Sequence, residues 1–267
     1  MNASSPIGIF DSGIGGLTVV QSVMKALPGE NVIYFGDSAR VPYGVKSPET
    51  INRYAAEITQ FLKDQNVKMI LIACNTVSAV AGETVHRIAG DIPVLDVLSA
   101  GSKAAADSGS SNIGVIGTLA TINSGAYSDS IHKLNSGAKV KSKACPLLVP
   151  LAEEGWTDND IARETLKIYL SDFMENGIDT LILGCTHYPL FKESIIKLFG
   201  KKNISVIDSG DAIADMAART LKEKNLLNTS DKTGEFKCFV SDRPQRFQEL
   251  AERFLGTPID RVNTHNL

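Results

Sequence analysis

"ILIACNTVS" (Ile70–Ser78) and "LILGCTHYP" (Leu181–Pro189) are one pattern written twice: an apolar run that stops at a cysteine followed by polar, hydroxyl-bearing residues. Each is preceded by an amphipathic helix and a turn. Before the first, Ser47 is placed to cap a helix that opens on Pro48, and Ile51, Tyr54, Ala55, Ile58, Phe61 and Leu62 recur at helical spacing. Before the second, Ile161, Leu166, Tyr169, Leu170 and Phe173 mark a helix that stops near Gly177. Asn66 and Gly177 stand at the same distance from their cysteines, and both residue types tolerate positive φ. The duplicated unit is helix, turn, strand, cysteine.

The repeat extends outward. "IGIFDSG" (Ile7–Gly13) matches "IGVIGTL" (Ile113–Leu119), which places Ser12 over Thr118, and "VLDVLSAG" (Val94–Gly101) loosely echoes "VIDSGDAI" (Val206–Ile213). Short β-like runs alternate with helices, predicting strands at Ile7–Phe10, Val32–Phe35, Lys68–Ala73, Pro93–Asp96, Ile113–Ile116, Lys139–Lys143, Thr180–Gly184 and Ser205–Ile207. The expectation is an α/β fold of two pseudo-symmetric parallel-sheet domains, 1–98 plus 210–267 and 99–209. The tail, with the helical "GDAIADMAARTLKEKN" and the strand-like "FKCFV", packs back on the first half.

Composition narrows the partners. The chain has 267 residues, 43% hydrophobic and 21% charged, with a net charge of −3. Nothing in this balance or in the distribution of lysine and arginine points to nucleic acid or an anionic membrane. The opening "MNASSPIGIF" lacks the features of a signal peptide, and no apolar run reaches membrane-spanning length, so the expected location is cytoplasmic. The four cysteines, Cys74, Cys145, Cys185 and Cys238, form no C-x-x-C pair and are expected as free thiols.

In parallel sheets, ligands sit beyond the carboxyl ends of the strands. The residues there are Asp11-Ser12-Gly13, Gly36-Asp37-Ser38, Cys74-Asn75-Thr76, Gly117-Thr118 and Cys185-Thr186-His187. A buried thiol is ordinarily a small hydrophobe. Two at equivalent strand ends predict instead a pair facing one ligand from two sides, one taking a proton while the other returns one. A following helix N-terminus is expected to lower the pKa of each. "DSGIGGLT" (Asp11–Thr18) reads either as a tight packing turn or as backbone N–H groups for a small anion, with Asp11 free for a cationic group. "ARVPYGVKSPE" (Ala39–Glu49) is an ordinary turn unless Tyr43 and Gly44 fix a ligand. His187 can tune Cys185, whereas zinc ligation lacks closely spaced partners. Composition alone makes Glu153-Glu154 a solvated turn and leaves Cys145 and Cys238 structural.

Together "FDSGIGGLTV", "YFGDSARVPYG", "ACNTVSA", "GTLATINSGAY" and "LGCTHYPL" resemble the glutamate racemase family, within the cofactor-independent aspartate/glutamate racemase superfamily. The resemblance implies an active site in the cleft between the two domains. It also implies interconversion of L- and D-glutamate without pyridoxal phosphate or metal, supplying D-glutamate for peptidoglycan. Cys74 and Cys185 would be the acid/base thiols, acting on D- and L-glutamate respectively. Asp11 would assist the first, and His187 and Glu153 the second. Substrate contacts would be Asp11, Ser12, Tyr43, Gly44, Asn75, Thr76, Thr118, Thr121, Thr186 and His187. A homodimer is compatible with the resemblance, its geometry left open. The competing readings are a racemase or isomerase of another amino or dicarboxylic acid, a thiol hydrolase, and a non-catalytic two-lobed binding protein.

Overall fold

The computed structural model describes residues 2–200, 204–230 and 232–267. Ten strands are present among them: β1 (Ile7–Asp11), β2 (Val32–Gly36), β3 (Met69–Ile72), β4 (Val94–Asp96), β5 (Asn112–Gly117), β6 (Lys139–Ala144), β7 (Thr180–Gly184), β8 (Ser205–Asp208), β9 (Phe236–Val240) and β10 (Val262–Thr264). The eight expected strands are all found, shifted at their ends by a residue or so. "FKCFV" forms β9 and pairs with β2, so the tail does return to the first sheet. β10 was not expected; it is three residues long and carries no alternating apolar pattern.

The first sheet has the order β10-β9-β2-β1-β3-β4 and the second β6-β5-β7-β8, with every pairing parallel. Without β9 and β10 the two orders are the same. The direction of winding reverses between β1 and β3 in one sheet and between β5 and β7 in the other. That reversal opens a crevice at the carboxyl ends, and Asp11, Cys74, Thr118 and Cys185 stand at those ends.

The helix before β3 spans Pro48–Asp64, capped by Ser47, whose side chain accepts from Thr50 N. Asn66 takes φ 56° and Gly177 φ 67°, so both turns use the left-handed conformation. The helix before β7 spans Asp160–Asn176 and buries Ala162, Leu166, Leu170 and Phe173. Ile161, expected on that stripe, is 53% exposed; the buried face runs one residue later, through Ala162.

Two features bear on the site. β1, β2, β3 and β7 are buried along their whole length. One continuous apolar cluster runs from Ile9, Leu17 and Val20 of the first domain to Leu148, Leu166 and Phe173 of the second. Cys185 belongs to that shared core, whereas Cys74 belongs to a separate cluster with Phe10, Ile70 and Val77. Among the described residues no helix is long and apolar enough to cross a membrane.

Candidate active site

The carboxyl ends of the two sheets enclose a cavity of about 160 Å³, bordered by Asp11, Ser12, Tyr43, Gly44, Cys74, Asn75, Thr76, Thr118, Cys185, Thr186 and His187. Both thiols thus line one cavity, from different domains. Its remaining walls, Val41, Pro42, Val45, Leu119, Pro146, Val149 and Pro150, are apolar, and no lysine is among them. Among the described residues no cluster of His, Cys, Asp or Glu could hold a metal ion.

Cys74 ends the β3 segment and caps the helix Asn75–Ala89. The expected lowering of its pKa is not found. Burial pushes the thiol up and the Asp11 carboxylate pushes it further, against hydrogen bonds from Val77 N–H and Ser12. Cys74 is therefore a protonated thiol at neutral pH. No α-helix follows Cys185 directly: a turn leads into the short 3-10 helix Tyr188–Phe191. Its electrostatic partner is a side chain instead. His187 Nδ1 lies 3.8 Å from Cys185 Sγ, and His187 Nε2 lies 3.0 Å from Glu153 Oε1. Burial disfavours the imidazolium, yet hydrogen bonds to Cys185 and Glu153 outweigh it and raise His187 from 6.5 to about 10.

Glu153 is no free turn residue. It sits on the helix Leu148–Glu154, half-buried against His187, and its carbonyl accepts from Arg253. It does not border the cavity; it meets the site only at His187 Nε2. Thr121 likewise stands behind the wall, 3.3 Å from Thr76 Oγ1 and 3.0 Å from Thr118 Oγ1.

Asp11 joins the two domains. Its Oδ2 accepts from Gly16 N at 2.7 Å and from Thr186 Oγ1 at 3.3 Å. The Gly16 N–H is thus consumed within the protein, so "DSGIGGLT" does not offer it to an anion. Gly15 is needed for close approach: a Cβ there would meet Thr186 Oγ1 at 2.4 Å and His187 Nδ1 at 2.5 Å. Gly44 similarly lets its loop touch the other domain, since a Cβ would lie 2.8 Å from Thr118 Cβ. Tyr43 borders the cavity, but its hydroxyl is committed to Asp37, which also accepts from Arg40 Nε and Ser241 Oγ. What Tyr43 can offer a ligand is backbone.

Two residues that border the cavity each carry a buried polar atom with no hydrogen-bond partner: Asp11 Oδ1, an acceptor, and Asn75 Nδ2, a donor. Buried polar groups are nearly always paired. One carboxylate oxygen and one amide NH2 left over fit a ligand carrying both an ammonium and a carboxylate.

The Asp/Glu/hydantoin racemase family model matches residues 7–217. The chain belongs to that family. It is an enzyme of the isomerase class. It is 48% identical over 263 residues to a glutamate racemase of Neisseria meningitidis, covering 98% of this chain and 97% of the relative. With a glutamate racemase of Chlorobaculum parvum it shares 51% identity over 263 residues, 98% of this chain and 96% of the relative. The crystal structure of the glutamate racemase from Francisella tularensis in complex with D-glutamate superposes with a TM-score of 0.93 at 46% identity, covering 99% of this chain and 98% of that one.

Several contributors to the site carry no local sequence signal. Thr18 Oγ1 donates to Thr186 O at 3.0 Å across the domain seam. Phe254 stacks edge-on against His187 with ring centres 5.3 Å apart. Both depend on contacts that only the folded chain creates.

Proposed function

We propose that the chain interconverts L- and D-glutamate by proton transfer at the α-carbon between two thiols, and so supplies D-glutamate for peptidoglycan synthesis. The observation that carries this reading is the meeting of Cys74 and Cys185 in one cavity, each at the end of an equivalent strand. The complex of the Francisella relative with D-glutamate supports the choice of ligand. The domain division that goes with the reading is 1–98 plus 210–267 and 99–209.

The α-proton of an amino acid is weakly acidic, so the site must stabilise a carbanion-like transition state with preorganised donors and little water. In this reading Asp11 Oδ1 receives the substrate ammonium. Ser12, Asn75, Thr76, Thr118 and Thr186 hold the carboxylates, with Gly44 and the Tyr43 backbone at the loop and Thr121 bracing the threonines. L-glutamate loses its α-proton to Cys185, whose negative form is balanced by the imidazolium of His187, itself held by Glu153. The planar carbanion then takes a proton from Cys74 on the opposite face, giving D-glutamate. The reverse reaction begins at Cys74, where Asp11 and Ser12 flank the sulfur. Both reactants are held in place throughout, so inversion needs only two proton transfers.

Glutamate is one carbon longer than aspartate, so substrate choice tests the reading. Circular dichroism should decay to zero for L-glutamate and stay constant for L-aspartate. Decay for aspartate alone would reassign the substrate; decay for neither would favour a binding protein.

A further inference from the structure

The partnerless Nδ2 of Asn75 raises a question of orientation, because an amide can present either a donor or an acceptor. Asn75 opens the helix that follows Cys74 and is 3% exposed. Its Oδ1 lies 2.6 Å from the hydroxyl of Tyr127. That separation suits O–H···O, with its usual distance of about 2.7–2.8 Å, better than N–H···O at about 2.9–3.0 Å. The amide oxygen therefore faces Tyr127, and the NH2 group points elsewhere.

Tyr127 comes from the helix Ala126–Leu134 on the other domain and is fully buried. Its hydroxyl also lies 3.4 Å from Ser209 Oγ, and Ser209 Oγ in turn donates to Leu183 O at 3.3 Å. The phenol proton goes to the nearer acceptor, Asn75. Burial pushes the phenol well above its usual pKa, so it remains a donor across the neutral range.

We infer that Tyr127 is a positioning residue: its cross-domain hydrogen bond to Asn75 Oδ1 locks the amide so that Nδ2 faces the substrate cavity and presents a donor to a ligand carboxylate. Asn75 borders that cavity directly, and Tyr127 does not. Without the phenol, the amide is free to turn and offer its oxygen, which a carboxylate repels. Asn75 also borders a second cavity of about 10 Å³ beside Leu183, Cys185 and Ser209, large enough for about one water. An Nδ2 bound there would be withdrawn from the substrate, and that arrangement is the rival to test. The proposal rests on glutamate being the ligand.

The test compares wild type, Tyr127→Phe, Asn75→Ala and the double variant, by circular dichroism with both glutamate enantiomers. Loss of one such hydrogen bond should raise KM roughly five- to tenfold in Tyr127→Phe for both enantiomers, with kcat kept within about twofold. Asn75→Ala should raise KM at least as much, and the double variant should match Asn75→Ala alone. A Tyr127→Phe enzyme with wild-type KM, or losses that multiply in the double variant, would overturn the proposal. Should Tyr127→Phe not fold, Asn75→Asp decides: it keeps an oxygen for Tyr127 and turns a second oxygen to the ligand. It should bind glutamate more weakly than Asn75→Ala, and equal or tighter binding would refute the orientation. A wild-type protein inert towards glutamate would remove the substrate reading and this proposal with it, an outcome distinct from a working enzyme indifferent to Tyr127.

Discussion

The surroundings of Cys74 and Cys185 differ more than their strands do. Each cysteine ends the third strand of its sheet, beside the central strand β1 or β5. Around Cys74 lie a carboxylate, Asp11, and neutral donors from Ser12 and Val77, and the thiol holds its proton. Around Cys185 lies a histidine whose proton is secured by Glu153 and by the sulfur itself. The duplicated scaffold repeats the position of the sulfur, and its neighbours, the Asp11 carboxylate against the His187 imidazole, supply opposite electrostatics. This difference sets a protonated thiol beside a carboxylate on one side of the cavity and a sulfur beside an imidazole on the other.

Removing either sulfur should have the largest effect. Cys74→Ser and Cys185→Ser should each lower racemisation by about 10²–10⁴-fold or more in both directions, measured by circular dichroism. A variant keeping near-wild-type turnover would show that its side of the comparison is not catalytic.

The partners should separate the two sides. Asp11→Asn should slow the Cys74 step and His187→Asn the Cys185 step, each by roughly 10²-fold. The equilibrium between enantiomers holds kcat/KM equal in the two directions, so the rate alone cannot distinguish them. The α-deuterium isotope effect can. Asp11→Asn should enlarge it for D-glutamate and shrink it for L-glutamate, and His187→Asn should do the reverse. The same change in both variants would break the assignment of each partner to its own thiol.

The smallest effect is on stability. His187 rises from 6.5 to about 10 on folding. A raised folded-state pKa stabilises fully below the unfolded value and is lost as pH climbs through the folded one. The Tm difference between wild type and His187→Gln should therefore be greatest below about pH 6.5 and vanish between there and about pH 10. Glu153, half-exposed on the far side of the imidazole, should matter less: Glu153→Gln should narrow that window and slow turnover about two- to fivefold. A Tm difference independent of pH would mean His187 is neutral in the fold.

The duplicated scaffold was legible from short-range patterns. Apolar runs, a Ser-Pro helix start, and Asn66 and Gly177 at matched positions are local signals, and each has its expected conformation. Ile161 and Ala162 are adjacent on the helix, and apolar size favours Ile161 for the buried stripe, yet the helix turns the smaller Ala162 inward. The electrostatics were less legible. A helix N-terminus after a cysteine is visible in sequence, but the burial of Cys74 and its approach to Asp11 are products of folding. The same holds for the Tyr127–Asn75 bond and for Asp37, which ties Tyr43 to Ser241 of the tail. These contacts join segments far apart in the chain, and no local pattern encodes them.

In the proposed mechanism two different sulfurs serve the two faces of one carbon. Early turnover in deuterium oxide, followed by mass spectrometry after separating the enantiomers, tests it directly. Starting from either L- or D-glutamate, the product should carry deuterium at the α-carbon while the remaining substrate stays unlabelled. Unlabelled product, or label entering substrate as fast as product, would mean that one group handles both faces, and the two-thiol account would be wrong.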